Sequence, residues 1–102
     1  MGVVIISDDG MRDVCMSYST FFRLRSAVAR SSKYDPMVML FVNSSDTDGE
    51  EDWYSVVNLN SHIQDVSKIN VKEDLGEKVI FWDTFKELVK YCAENEQGFK
   101  WG

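Results

Sequence analysis

The chain has 102 residues, 44% of them hydrophobic and 27% charged, and its 11 Lys and Arg against 17 Asp and Glu leave a formal net charge of −6. A chain of this length buries roughly 60 to 70% of its unfolded surface, and its Trp, Phe and Tyr residues supply large apolar area, so neither disulfides nor a structural metal is needed to fold it. The acidic balance excludes the phosphate-neutralising surface of a direct nucleic-acid binder, and no apolar run approaches the roughly 18 residues of a membrane span.

Val3-Val4-Ile5-Ile6 is too short for the apolar region of a secretion signal and has no basic segment before it, so it reads as a strand. Asp8-Asp9-Gly10 then separates it from a second β-prone run, Met11 to Met16, which predicts a hairpin. Cys15 and Cys92 are the only cysteines. Neither sits in a CxxC or Cys/His spacing that would suit zinc or redox chemistry. Without a secretion signal they point to a reducing, cytoplasmic compartment and two free thiols, although spacing alone does not forbid a bridge.

A helix is expected from about Thr20 to Ser31, capped by Ser17 or Ser19. Phe21, Leu24, Ala27 and Val28 fall on one face of it. Arg23, Arg25 and Arg30 lie outside that stripe, as a solvated face or as a docking patch for an anionic partner. Asp35-Pro36 is a good helix start. Met37 to Val42 would follow as a short apolar helix through the core, with a buried strand as the alternative.

Charge is unevenly spread. Arg12 to Lys33 holds five basic residues and one acid, whereas Asp35 to Asp65 holds seven acids and no Lys or Arg. Most of those acids lie in Asp46-Thr47-Asp48-Gly49-Glu50-Glu51-Asp52, expected as an exposed loop. Asp46-x-Asp48-Gly49 matches the centre of a calcium loop, in which carboxylates two apart converge on one cation and Gly allows a sharp turn. With Gly49 at the sixth position, the ligands would be Ser44, Asp46, Asp48 and the carbonyl of Glu50. The twelfth position is Ser55 in place of a bidentate Glu, so any calcium held there would be held weakly. Acids ahead of a helix also stabilise its dipole and cap it without any ion.

That following helix is marked by Trp53, Val56, Leu59, Ile63, Val66 and Ile69, an apolar stripe of about five turns. His62, one residue before Ile63, reads as a surface imidazole. Asn70 to Lys78 reads as a connection. The last helix carries Phe85, Leu88, Val89 and Cys92 on one face and starts at Asp83 or Thr84, where Thr84 and Glu87 have capping-box spacing. Val79 to Trp82 is then a strand or an extra first turn. Gly98 supplies the stop, and Phe99-Lys100-Trp101 forms a terminal strand beside the hairpin. The expected fold class is α+β, with the N-terminal β-hairpin and short C-terminal strand packed on three or four helices in one domain over residues 1–102.

Three pieces carry a resemblance: Ser19-Thr20-Phe21-Phe22-Arg23-Leu24-Arg25, then Asn43-Ser44-Ser45-Asp46-Thr47-Asp48-Gly49-Glu50, then Leu88-Val89-Lys90-Tyr91-Cys92-Ala93-Glu94 followed by Phe99. In order and rough spacing they resemble a family of small uncharacterised bacterial and phage proteins with an Asn-His-Ser-Asp-Cys-Asp-Gly-Glu segment. Ser44 and Thr47 stand here where that segment has His and Cys. The resemblance implies a bacterial or phage origin and a shared shape.

No phosphate loop, HExxH or nucleophile with a partner base is present in the sequence, so no enzyme is expected. The expected function is that of a small acidic accessory protein that binds and modulates a bacterial protein partner, without a cofactor, a membrane or direct nucleic acid. Its candidate surface is Asp46, Asp48, Glu50, Glu51 and Asp52, with Trp53 and Tyr54 as aromatic anchors, although Trp53, like Trp82, reads more readily as a core residue. Two other readings are a divalent-cation module holding Ca2+ weakly through Ser44, Asp46, Asp48 and Glu50, and an inhibitor whose acidic face imitates nucleic acid.

Overall fold

The computed structural model describes residues 2–30, 40–43, 47–64 and 75–102. The expected hairpin is present as β1 (Gly2–Ser7) and β2 (Asp13–Ser17), antiparallel, with Val3 opposite Met16 and Ile5 opposite Val14. Alternation along the strands turns Val3, Ile5, Val14 and Met16 inward, whereas Val4 and Cys15 face outward. Gly10, at φ +74, takes the left-handed conformation the turn requires.

Ser17 caps α1 (Tyr18–Ala29), its hydroxyl oxygen accepting the Thr20 N–H at 3.2 Å. Phe21, Leu24, Ala27 and Val28 are buried along the expected stripe. Arg25 departs from the solvated-face expectation. It is buried, donates to the Phe41 carbonyl at 3.2 Å, and holds its guanidinium 4.9 Å from the centre of the Phe21 ring. The i to i+4 step from Phe21 puts the two side chains on one face, where the ring attracts the cation.

Helix α2, described over Leu40–Asn43, carries the end of the expected apolar helix; positions 35–39 lie outside the described residues. β3 (Gly49–Glu51) leads into α3 (Trp53–Ile63). On α3, Val56, Leu59 and Ile63 are buried as the stripe predicts, while positions 66 and 69 lie outside the described residues. His62 is buried beside them, against its expected place on the surface.

After a 3-10 turn at Gly76–Lys78 comes α4 (Val79–Glu94). Of the two readings of Val79 to Trp82, the extra helical turn is the observed one. Thr84 accordingly lies inside the helix and donates to the Ile80 carbonyl at 3.0 Å instead of capping. Glu96 takes the left-handed conformation at φ 53, and the Gln97 N–H reaches back to the Cys92 carbonyl at 3.0 Å. This is the Schellman pattern: the helix stops near Asn95 as expected, but Glu96 and not Gly98 takes the left-handed position.

β4 (Phe99–Trp101) pairs antiparallel with β1 on one side and β3 on the other, giving the sheet order β2-β1-β4-β3. The α+β class therefore holds, with the acidic segment contributing a strand the sequence did not suggest. The core centres on Phe41. Its ring stacks on Phe85 at 5.3 Å and meets Phe99 and Trp101 edge-on at 5.6 and 5.2 Å, geometries that the aromatic quadrupole favours. No helix among the described residues is long and apolar enough to cross a membrane.

Candidate functional site

The acidic segment divides by where the fold sends each carboxylate. Positions 44 and 46 of the expected site lie outside the described residues. Asp48 and Glu50 are exposed, and Glu50 lies opposite Lys100 in the β3/β4 register. Glu51, one residue on, alternates to the inner face. It is only 4% exposed, and its carboxylate accepts the Phe41 backbone N–H. Asp52 caps α3, its Oδ1 accepting the Ser55 N–H at 2.9 Å. Asp48 and Glu50 thus lie at the surface, whereas Glu51 and Asp52 bond to the backbone of α2 and α3.

Gly49 is extended and paired with Trp101, so it does not form the sharp turn of a calcium loop. A Cβ there would overlap the Trp101 ring, which is the physical reason for glycine at this position. Among the described residues, no three Asp, Glu, His or Cys side chains are grouped to hold a metal ion.

Trp53 and Tyr54 open α3 on its solvent side. The Trp53 indole N–H donates to the Ala93 carbonyl at 3.2 Å, fixing the start of α3 against the end of α4 while leaving the ring 39% exposed. Tyr54 is 77% exposed, Val57 42%, and the two aromatic rings stand nearly perpendicular with centres 6.5 Å apart. With Asn58, whose amide donates to the Tyr54 carbonyl at 3.2 Å, these side chains line a surface groove of about 290 Å³. The bond to Ala93 also brings the negative end of the α4 dipole, with exposed Glu94, next to the Trp53 ring. A mainly apolar groove beside the C-terminal end of α4 is what these residues make together.

A second polar cluster went unread in the sequence. Asp9 Oδ1 accepts from Ser7 Oγ at 2.8 Å and the Met11 N–H at 3.0 Å, and its Oδ2 accepts from the Tyr91 hydroxyl at 2.5 Å and Gln97 Nε2 at 2.9 Å. The Asp9 N–H in turn donates to Gln97 Oε1 at 2.9 Å. Hydrogen bonds from Tyr91 and then Gln97 hold the Asp9 carboxyl well below the usual carboxylate range, and the same bond to Asp9 raises the Tyr91 hydroxyl above its ordinary value. Arg12 lies 4.6 Å from the centre of the Tyr91 ring. Asp9 reads as a turn residue in sequence because two of its partners, Tyr91 and Gln97, lie more than eighty positions away.

Cys15 is exposed and Cys92 buried, both as free thiols; burial pushes the Cys92 thiol up to about 12. No protein-family model, curated protein or solved structure matches the chain.

Proposed function

We infer that this protein is a binding module that captures a segment of another protein in the groove between Trp53, Tyr54 and Val57. The observation that carries the reading is the exposure of two aromatic rings and a valine side by side on one helical turn. An apolar surface of that kind costs free energy in water and is recovered when a partner covers it. Tyr and Trp are the side chains that most often dominate such contacts, because they combine large rigid area with a polar tip.

The surround defines the partner's chemistry. Asp48, Glu50 and Glu94 are exposed, and the end of α4 adds negative potential. The segment that fits is one with an apolar or aromatic residue for the groove, flanked by Lys or Arg for the acids. Opposite charge would speed the encounter and set orientation, while the buried apolar contact supplies most of the affinity.

Selection from a library of random short peptides on the immobilised protein tests this directly. Enriched peptides should pair an aromatic or long aliphatic residue with Lys or Arg, and should bind Tyr54→Ser roughly tenfold or more weakly than the wild type. Equal enrichment on Tyr54→Ser and on wild type would remove the groove from consideration.

A further inference from the structure

Among the described residues, the sheet order leaves two edges of opposite character with no neighbouring strand, β2 and β3. Their free backbone groups follow from the ladder. Val4 and Gly102 exchange N–H···O bonds at 2.9 and 3.0 Å, and the Ser7 N–H donates to the Arg12 carbonyl at 2.9 Å. Antiparallel alternation from those pairs aims the N–H and C=O groups of Val14 and Met16 at β1, and those of Asp13, Cys15 and Ser17 away from the sheet. Among the described residues, no backbone bond reaches the outward groups of Asp13 or Cys15.

On β3 the same alternation leaves only Glu50 pointing outward. That edge is three residues long and acidic, two devices by which proteins discourage edge pairing. β2 has neither. Its five residues, Asp13-Val14-Cys15-Met16-Ser17, include no Lys, Pro or Gly and a single charge.

We propose that β2 is a self-association edge, through which two copies of this chain pair antiparallel about a two-fold axis at Cys15. The strand is its own complement in that register. Cys15 falls opposite the partner's Cys15, Val14 opposite the partner's Met16, and the one acid, Asp13, opposite the partner's neutral Ser17. The Cys15 backbone groups bond reciprocally, and each Ser17 N–H reaches the partner's Asp13 carbonyl. The Ser17 carbonyl stays with α1, as a cap residue's does. On the inner face the pairing joins the Val14 and Met16 rows of two cores; on the outer face it sets the Cys15 thiols side by side, next to Val4. Pairing β2 with another copy's β3 would instead bring Asp13 towards Glu50 and leave an edge open at each end, so the closed pair is favoured.

Sedimentation of the full chain from micromolar to millimolar concentration should show a monomer in equilibrium with a dimer. A short bismaleimide should join that dimer through Cys15, because Cys92 is buried and stays protonated. Cys15→Lys sets two ammonium groups against each other on the outer face and should weaken association roughly tenfold, with an unchanged circular dichroism spectrum. Mixing Cys15→Lys with Cys15→Glu should restore a heterodimer. A wild type that remains monomeric at millimolar concentration, a dimer indifferent to Cys15→Lys, or a mixture that does not recover would each overturn the proposal. So would an edge that pairs only with a strand of a different protein. The Trp53 groove lies on α3, so loss of this dimer leaves the peptide-binding result standing and the reverse also holds.

Discussion

Tyr91 donates its hydroxyl to the carboxylate of Asp9, joining the last turn of α4 to the turn of the N-terminal hairpin across 82 positions of sequence. With Gln97 bound to the same carboxylate, the C-terminal turn is docked on the hairpin just where β4 enters the sheet. The arrangement depends on charge: it needs an ionised Asp9 and a protonated Tyr91.

Acid should therefore loosen it. Asp9 releases its proton at lower pH in the folded protein than in the unfolded chain, so its contribution is complete above about pH 4 and is lost as pH falls through the depressed folded value. Tyr91 is shifted upward, so its contribution is complete below about pH 10 and is lost as pH rises beyond that. Urea unfolding across pH should show Asp9→Asn flattening the acid limb and Tyr91→Phe the alkaline one. An acid limb equally steep in Asp9→Asn would show that other carboxylates set it.

Gly98 is held by both its backbone groups, its N–H donating to Asp8 Oδ2 and its carbonyl accepting from the Asp8 N–H, each at 3.1 Å. A Cβ there would overlap the Glu51 carbonyl oxygen, a backbone atom that cannot swing away. Gly98→Ala should cost about 3 kcal/mol, read as a lower denaturation midpoint. A loss under about 0.5 kcal/mol, the range of an ordinary surface change, would mean that β3 moves aside freely.

Glu96 carries the opposite expectation. A side chain at φ 53 costs free energy that glycine does not incur, and part of that gain is offset by the extra freedom glycine brings to the unfolded chain. Glu96→Gly should raise stability by about 0.5 kcal/mol, measured as a small rise in melting temperature. A fall would indicate that the Glu96 side chain makes a stabilising contact of its own.

The two halves of the acidic segment should respond differently to neutralisation. Asp48→Asn with Glu50→Gln should leave the melting temperature within the scatter of surface changes and weaken capture of basic peptides. Glu51→Ala removes the acceptor of the buried Phe41 N–H and should cost about 2 kcal/mol; Asp52→Ala removes a helix cap and should cost about 1 kcal/mol. Thermal melts of the two sets, run beside peptide titrations, separate binding from folding. Equal destabilisation by both sets would contradict the division.

Local pattern carried much of the fold. The hairpin, the Ser17 cap, the buried stripes of α1, α3 and α4 and the terminal strand beside β1 were all legible, because each depends on spacing or capping within a few residues. The aromatic pair Trp53 and Tyr54 was visible too, as residue types suited to an interface. The exposure of Trp53 was not legible, since it lies on the same stripe as the buried Val56 and Leu59. The acidic run looked uniform in one dimension, and strand alternation sorted it by sending Glu51 inward and Glu50 outward. A strand of three residues has too few positions to display a period, so β3 could not be read before its partner β4 was known.

What the amino-acid order determined alone was the class of most of the longer elements and most of the positions that had to be buried, for those follow from backbone propensity and water's exclusion of apolar side chains. What only the tertiary structure decided was which polar groups meet. Glu51 with Phe41, Asp9 with Tyr91 and Gln97, and Arg25 with the Phe41 carbonyl are pairings made by chain crossings. Hydrogen bonds act over about 3 Å, and nothing in the linear order says which residues will come that close.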